Sequence, residues 1–554
     1  MSGCLTPRKG AERPCDRSLV PDRPIERTHY RAPSEDGGVL VEPAWHAVDE
    51  LVAANGALRA GHDVEIGGKR LQQLSLEGRA ELLAAAYEHT RAYGEAAPAD
   101  PSTPLIMSGH QPQLFHPGVW VKNFALDAMA RRVAGACVNL VIDGDTLKGA
   151  SLRVPTGTLE SPLAVSTPFD EPGEESPYEE RLIRDDATFR SFGGRASALV
   201  RSFVDEPLVD EFWPLALERS THTRNLGQCL AEARHLQEAR WGARTLECTQ
   251  SRMCGTRAFR WFAVAIMARA GEFRQVYNAA VDEYRRVNRV RSEHHPAPRL
   301  AVEGEWCETP FWCWKTDSPR RRRLFARQAG EELILFDERA EIARLRVADG
   351  SSLDDAVDGL ADLESRGVKI RSRALTTTLF SRLVLADLFV HGIGGAKYDQ
   401  IADAIKRRFF GVEPAAMMVL SATFRLPIDR PTGAIDDLHA IQRELRALEF
   451  QPERFVEAAA AVGSLRERLN DKARLLEEPP SRETSKAWTR AVRAANDGLR
   501  PFVLERRERL TESLDQARRR VRAEAVLGSR EYAFILHSEK TLREFMLAIR
   551  ACAS

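Results

Sequence analysis

The chain has 554 residues, 43% of them hydrophobic and 29% charged, and its 80 basic side chains balance 80 acidic ones for a formal net charge of +0. That length exceeds one ordinary hydrophobic core, so two or three domains are expected. The balanced charge excludes a global field that would hold nucleic acid or an anionic membrane surface, and no stretch approaches the roughly 18 apolar residues of a membrane helix.

Residues 1–40 open on MSGCLTPRKGAERPCDRSLVPDRP and read as a disordered, polar, proline-rich tail without the apolar core of a secretory signal, which points to the cytoplasm. Nine cysteines scattered through the chain are expected as reduced, mostly buried thiols. Cys248/Cys254 and Cys307/Cys313, with His294 and His295 nearby, raise a zinc site. Five intervening residues exceed the about two to four usual between paired zinc cysteines, so no metal is expected.

Three short apolar runs, PLIMSG (104–109), CVNLVID (137–143) and ADLFVHG (386–392), each adjoin an amphipathic segment. Strands buried on both faces read this way, so the fold class is α/β with a Rossmann-like, largely parallel sheet. Its first part is expected at 41–290, with a helical insertion, and its second part at 346–450. Between them, at 291–345, TPFWCWK and EELILFD predict a small β insertion. The PRRRRLF run separating those two is read as a solvated hairpin tip in preference to a phosphate grip.

From 451 to 554 the pattern changes. Phe455, Ala458, Val462, Leu465, Leu469 and Leu476 mark one stripe, and Trp488, Val492, Ala495, Leu499, Leu510, Leu514, Ala517 and Val521 mark another. The three-and-four spacing predicts an antiparallel coiled-coil hairpin with a closing helix, interrupted by EEPPSRETS and again at Pro501. An ordinary helical domain against the core is the alternative.

The candidate site begins at SGHQPQLFHPGVWVKN (108–123). A strand ending at Gly109, a loop, and a helix after Pro117-Gly118 form a strand-to-helix turn of the kind that faces a ligand cleft. Trp120, Phe124 and Ala128 recur every four residues and are expected to cover the sheet, leaving Lys122 and Asn123 in the first turn. A helix N-terminus already carries about half a positive charge, so a lysine there is mildly unfavourable unless an anion is bound. The arrangement repeats in DLFVHGIGGAKYDQIADAIKRRFFG, where His391, Gly392, Gly394 and Gly395 lead to Lys397 and a helix over 396–410 with Ile401, Ile405 and Phe409 inward. Two such lysines predict one anionic ligand lying between both helix ends.

Asp143 and Asp145 end the second strand, where paired carboxylates could hold Mg²⁺, bind a substrate amine or act as a general base; an Asp-Gly turn is the competing reading. His110 and His116 are read as polar ligand contacts in preference to metal ligands. Arg373 begins a helix and either clamps a carboxylate or phosphate or forms a buried ion pair.

These residues carry a resemblance. SGHQPQLF resembles the G-Q-Q-x-G-L-F motif of the cysteine-adding ligase of bacillithiol biosynthesis, matching at Gly109, Gln111, Leu114 and Phe115. HGIGGAKYDQI resembles that family's G-P-G-E-I-A-Y segment, matching at Gly392, Gly394 and Tyr398 and loosely at Ala396. Arg373 falls where the family has an Arg-Pro pair, and Asp143 and Asp145 fall in its acidic D-H-D strand end. His110 stands in place of a Gln, Gln113 of a Gly and Gly395 of a Glu, and Lys122 lies about two residues before the family's lysine. HQP with Phe115 and Pro117 is also similar to the opening of the WbqC-like proteins.

The resemblance runs from about residue 100 to the end and implies a divergent member of the ligase's superfamily. Such a protein would join cysteine, or another amino acid, to a small amine, with ATP and Mg²⁺ to activate the carboxylate and the helical hairpin forming a homodimer. His110, Gln111, Lys122, Asp143 and Asp145 would be catalytic. Gly109, His116, Asn123, Arg373, His391, Gly392, Gly394, Gly395, Lys397 and Tyr398 would bind ligand. A nucleotidyltransferase on the same core, and a non-catalytic coiled-coil scaffold, are the other function classes considered.

Overall fold

The computed structural model describes residues 22–291, 297–347, 352–430, 432–456, 462–478 and 480–554. The fold is mixed α/β around a six-stranded sheet ordered Val39–Glu42, Met418–Ala422, Leu388–His391, Leu105–His110, Ala136–Val141, Leu246–Thr249. Five of these strands are parallel, and Val39–Glu42 runs antiparallel along one edge. Alternate residues go to opposite faces, as a pleated strand requires. Leu105, Met107, Val138, Leu140 and Phe389 enter one hydrophobic cluster, while Ile106, Cys137, Leu388 and Val390 enter a second on the other face. Helices cover both faces, which is why the strands predicted from continuous apolar runs are there.

The strand order places the site. From Leu105–His110 the chain adds Ala136–Val141 and then Leu246–Thr249 on one side; from Leu388–His391 it adds Met418–Ala422 on the other. Leu105–His110 and Leu388–His391 are themselves hydrogen-bonded neighbours, with Leu388 opposite Ile106. The turns that leave these two strands therefore diverge to opposite sides and open a crevice beyond their carboxyl ends.

The β insertion is a second sheet, ordered Glu341–Arg346, Glu332–Phe336, Ser318–Ala329, Trp306–Lys315, Val368–Ser372. It extends past residue 345, because Val368–Ser372 pairs antiparallel with Trp306–Lys315 and hands the chain to helix Ala374–Phe380. The basic run is no hairpin tip. Arg320 to Arg323 lie within the Ser318–Ala329 strand, whose period of two sends successive arginines to opposite faces.

The expected disordered tail is corrected over 22–40. Ile25 is buried, its N–H bonding Glu283, Asp22 pairs with Arg408, and Val39 and Leu40 belong to the edge strand. The expectation for 1–21 lies outside the described residues, as do His294, His295 and Ala458. Cys137, Cys229, Cys248, Cys254 and Cys313 are free and buried.

In the last quarter the outgoing helices Ala434–Phe450 and Ser464–Glu477 lie against the returning helices Leu504–Leu527 and Ser485–Leu499. Arg506 pairs with Glu444 and Arg520 with Asp437, a register that descends on one helix as it ascends on the other. The helical region thus starts at Ala434 and not at 451. Helix Glu539–Ala553 folds back on helix Pro117–Arg132, burying Leu542, Met546, Ile549 and Ala553 at helical spacing. Among the described residues no helix is long and apolar enough to cross a membrane.

Candidate functional site

A cavity of about 630 Å³ occupies the crevice between the two diverging turns. Gly109, His110, Gln111, His116, Lys122 and Asp145 line it from the first turn and its neighbouring strand. His391, Gly392, Gly394, Gly395 and Tyr398 line it from the second, and Arg373 from the insertion's exit. Most of the residues singled out from sequence are thus brought together.

Helix Pro117–Arg132 begins at Pro117, so Lys122 and Asn123 stand in its second turn. Side chains on a helix lean toward its N-terminus, which carries the Lys122 ammonium back to the loop. There it donates to the Gly109 carbonyl at 3.1 Å. Lys122 is 4% exposed, and no carboxylate pairs with it among the described residues. Burial, with Arg234 adding to it, lowers its pKa to about 8. Gly118 is required where this helix meets strand Met418–Ala422, since a Cβ there would run into the Ala422 carbonyl.

The cavity's histidines are held neutral by burial. His110 drops to about 3, with Lys122 opposing its charge further, while its Nδ1 lies 3.2 Å from the Gln111 carbonyl and its ring edges Phe115. His116 is lowered too, against Glu531, whose carboxylate is 3.6 Å from Nε2. His391 is lowered although its Nε2 lies 3.1 Å from Asp399.

Three expected site residues are elsewhere. Asn123 donates to Glu238 at 2.7 Å in the core behind the helix. The same buried network holds His235, Glu238 and Glu247 within 4.8 Å of one another, and Arg234 bonds both carboxylates at 2.6 Å, so one of the two negative charges a cation would neutralise is already compensated. Asp143 turns to the N-terminus of helix Gln250–Cys254, accepting from the Ser251 N–H at 2.9 Å and from its hydroxyl; burial, then Glu179, push its pKa up to about 6. Asp143 and Asp145 therefore face apart and form no paired-carboxylate site. Lys397 is exposed: at about 100° per residue it stands roughly 160° around the helix from buried Asp399.

Arg373 forms a buried ion pair on the cavity wall, the second of its two alternatives. It donates to Glu308 at 2.7 Å and lies 4.1 Å over the Trp312 ring. Arg321, from the basic strand, reaches Asp145 at 2.9 Å and sits over the same tryptophan at 5.1 Å, while Gln111 donates to Asp145 at 2.9 Å. Sequence reasoning missed Trp312 and Arg321, whose placement follows from sheet register. It also missed Asp399 and Arg382 behind His391, which had no local motif to announce them.

Among the described residues the cavity thus carries, at neutral pH, one cation without a carboxylate, Lys122. It faces helix Ile393–Ile405, whose first ladder bond runs from the Ala396 N–H to the Gly392 carbonyl, leaving the N–H groups of 393–395 outside it. This is an environment for negative charge. No known family model matches the chain, and no curated protein matches it.

Proposed function

We propose that the protein is a carbon–nitrogen ligase, similar to the cysteine-adding ligase of bacillithiol biosynthesis, that joins cysteine or another amino acid to a small amine. The observation that carries this reading is the buried, carboxylate-free ammonium of Lys122 in a cavity bordered by two helix N-termini. Amide formation in water requires an activated carboxyl group, and activation concentrates negative charge at the reacting carbon's oxygens. Lys122, only 4% exposed and so weakly screened, and the N–H groups of 393–395 would stabilise that charge.

Gln111, Asp145 and Arg321 form a connected group beside the first turn that would orient the incoming amine. His110 and Tyr398 would line the activated group, and Arg373 with Trp312 would close the mouth. ATP enters as the activating substrate with its own Mg²⁺; the divergence of Asp143 and Asp145 leaves no pair to hold a resident ion. A Rossmann-like description of the core is supported by the switch between the two central strands. A coiled-coil homodimer is supported by the helical arm, where Phe450, Leu476 and Leu504 remain about half exposed.

Incubating the purified full-length chain with ATP, Mg²⁺, cysteine or another amino acid, and a panel of small amines tests the reading by mass spectrometry. An amide product, lost in Lys122→Ala, is the expected result. A nucleotide-linked product without amide would move the reading to nucleotidyl transfer, and no product with any pair would remove it.

A further inference from the structure

The ligase reading leaves the proton of the attacking amine without an acceptor, since Asp143 is turned to Ser251 and Asp145 is held by Arg321 and Gln111. Three histidines border the cavity. His110 has Lys122 as its strongest charged neighbour, which resists a second positive charge. His116 has its carboxylate partner, Glu531, at the exposed rim. His391 alone has a buried carboxylate directly behind it.

Asp399 is fully enclosed and accepts from Thr378 Oγ1 at 2.5 Å, from Arg382, and from His391 Nε2 at 3.1 Å. Arg382 also pairs with Asp403 at 2.8 Å, and Lys406 with the same Asp403 at 3.2 Å, so the carboxylate is held ionised well below the usual range. An ionised carboxylate at Nε2 fixes the proton there and leaves Nδ1 as a bare acceptor. Nδ1 lies beside Gly395: a Cβ at that residue would stand 2.8 Å from it, so the missing side chain keeps this nitrogen open to the cavity.

We propose that His391 Nδ1 is the proton acceptor for the attacking amine, with Asp399 and Arg382 as positioning residues. This rests on the ligase reading. The amine nitrogen attacks the activated carboxyl carbon, the C–N bond forms, and the bond to the leaving phosphate or nucleoside phosphate oxygen breaks with its electron pair. The departing N–H proton passes to Nδ1. Asp399 compensates the imidazolium that results, as the carboxylate does in other His–Asp pairs. The charged groups facing this imidazole are Asp399 and, opposing it, Arg382 and Lys122.

Two measurements test the proposal. Carbethoxylation by diethyl pyrocarbonate, read by peptide mass spectrometry on the intact folded protein, is expected to label His391 at pH 7 and to label it at least fivefold less in Gly395→Ala, whose methyl group crowds Nδ1. Absence of label in the wild type would overturn the proposal, whatever the reaction. In the amide assay, His391→Gln is expected to lower kcat about 10²- to 10⁴-fold with KM little changed, and Asp399→Asn to move the acid limb of the rate profile to lower pH. His391→Gln keeping more than a tenth of wild-type kcat would overturn the proposal while leaving the ligase reading intact. Labelled His391 in a protein that forms no amide would overturn the ligase reading and, with it, the acceptor role.

Discussion

The turns at Pro117 and Ile393 look alike in sequence, each running from a buried strand through glycine into a helix with a lysine near its start. In the fold they differ in what lies outside them. Helix Pro117–Arg132 is covered on its outer side by helix Glu539–Ala553, and nearly every residue from Pro117 to Ala130 is buried. Helix Ile393–Ile405 keeps a solvent face, and Lys397 lies on it. The same residue type in the same local frame is a desolvated ammonium in one turn and a hydrated one in the other. Position near a helix start does not make a lysine functional; loss of water does.

The largest expected effect that would break this comparison is kinetic. Lys122→Ala should lower amide turnover about 10²- to 10³-fold, the cost of removing one preorganised charge donor, whereas Lys397→Ala should change it less than twofold. Equal losses in steady-state assays of the two variants would show that the turns act symmetrically.

The next effect is on stability. Lys122 falls from 10.5 to about 8 in the folded protein, which corresponds to about 3 kcal/mol of unfavourable burial at neutral pH. Between pH 8 and 10.5 the unfolded chain binds more protons at this residue than the folded one, so its contribution to stability rises with pH across that window. Lys122→Met should therefore stabilise the fold at pH 7, by about 1–3 kcal/mol in urea unfolding, with the advantage shrinking as pH rises through 8 toward 10.5. Lys397→Met, on the solvent face, should leave stability at pH 7 within about 0.5 kcal/mol of wild type.

A smaller difference separates the glycines of the two turns. Gly118→Ala forces a methyl group against the Ala422 carbonyl and should cost roughly 1–3 kcal/mol. Gly394→Ala meets nothing within 4 Å and should fall within about 1 kcal/mol of wild type. Equal unfolding midpoints for the two variants would mean that helix Pro117–Arg132 is not pressed onto the sheet as described.

Much of the core was legible because doubly buried strands announce themselves: Leu105–His110, Ala136–Val141 and Leu388–His391 fall on the predicted runs. Leu246–Thr249 and Val39–Glu42 did not: a glutamate interrupts the apolar run in LECT, and VLVE is a partly exposed edge strand that ends on one. Within the site, His110, His116 and the glycines were found through turn chemistry, and Gln111 and Tyr398 through the resemblance to the ligase motifs. Asn123 and Asp143 were misassigned because the partners that claim them, Glu238 and Ser251, lie more than 100 residues away along the chain. Arg321 was read as solvated because four successive arginines have no apolar alternation, and only the register against Trp306–Lys315 turns one of them over Trp312.

Taken alone, the sequence determined the α/β class, the two glycine-marked turns and the lysine that follows each, since hydrophobic period and backbone punctuation act over a few residues. Only the tertiary structure decided that the turns share one crevice, that Asp399 stands behind His391, and which lysine is stripped of water. Those outcomes depend on strand order and on a helix from the far end of the chain, and desolvation is a property of everything that surrounds a charge.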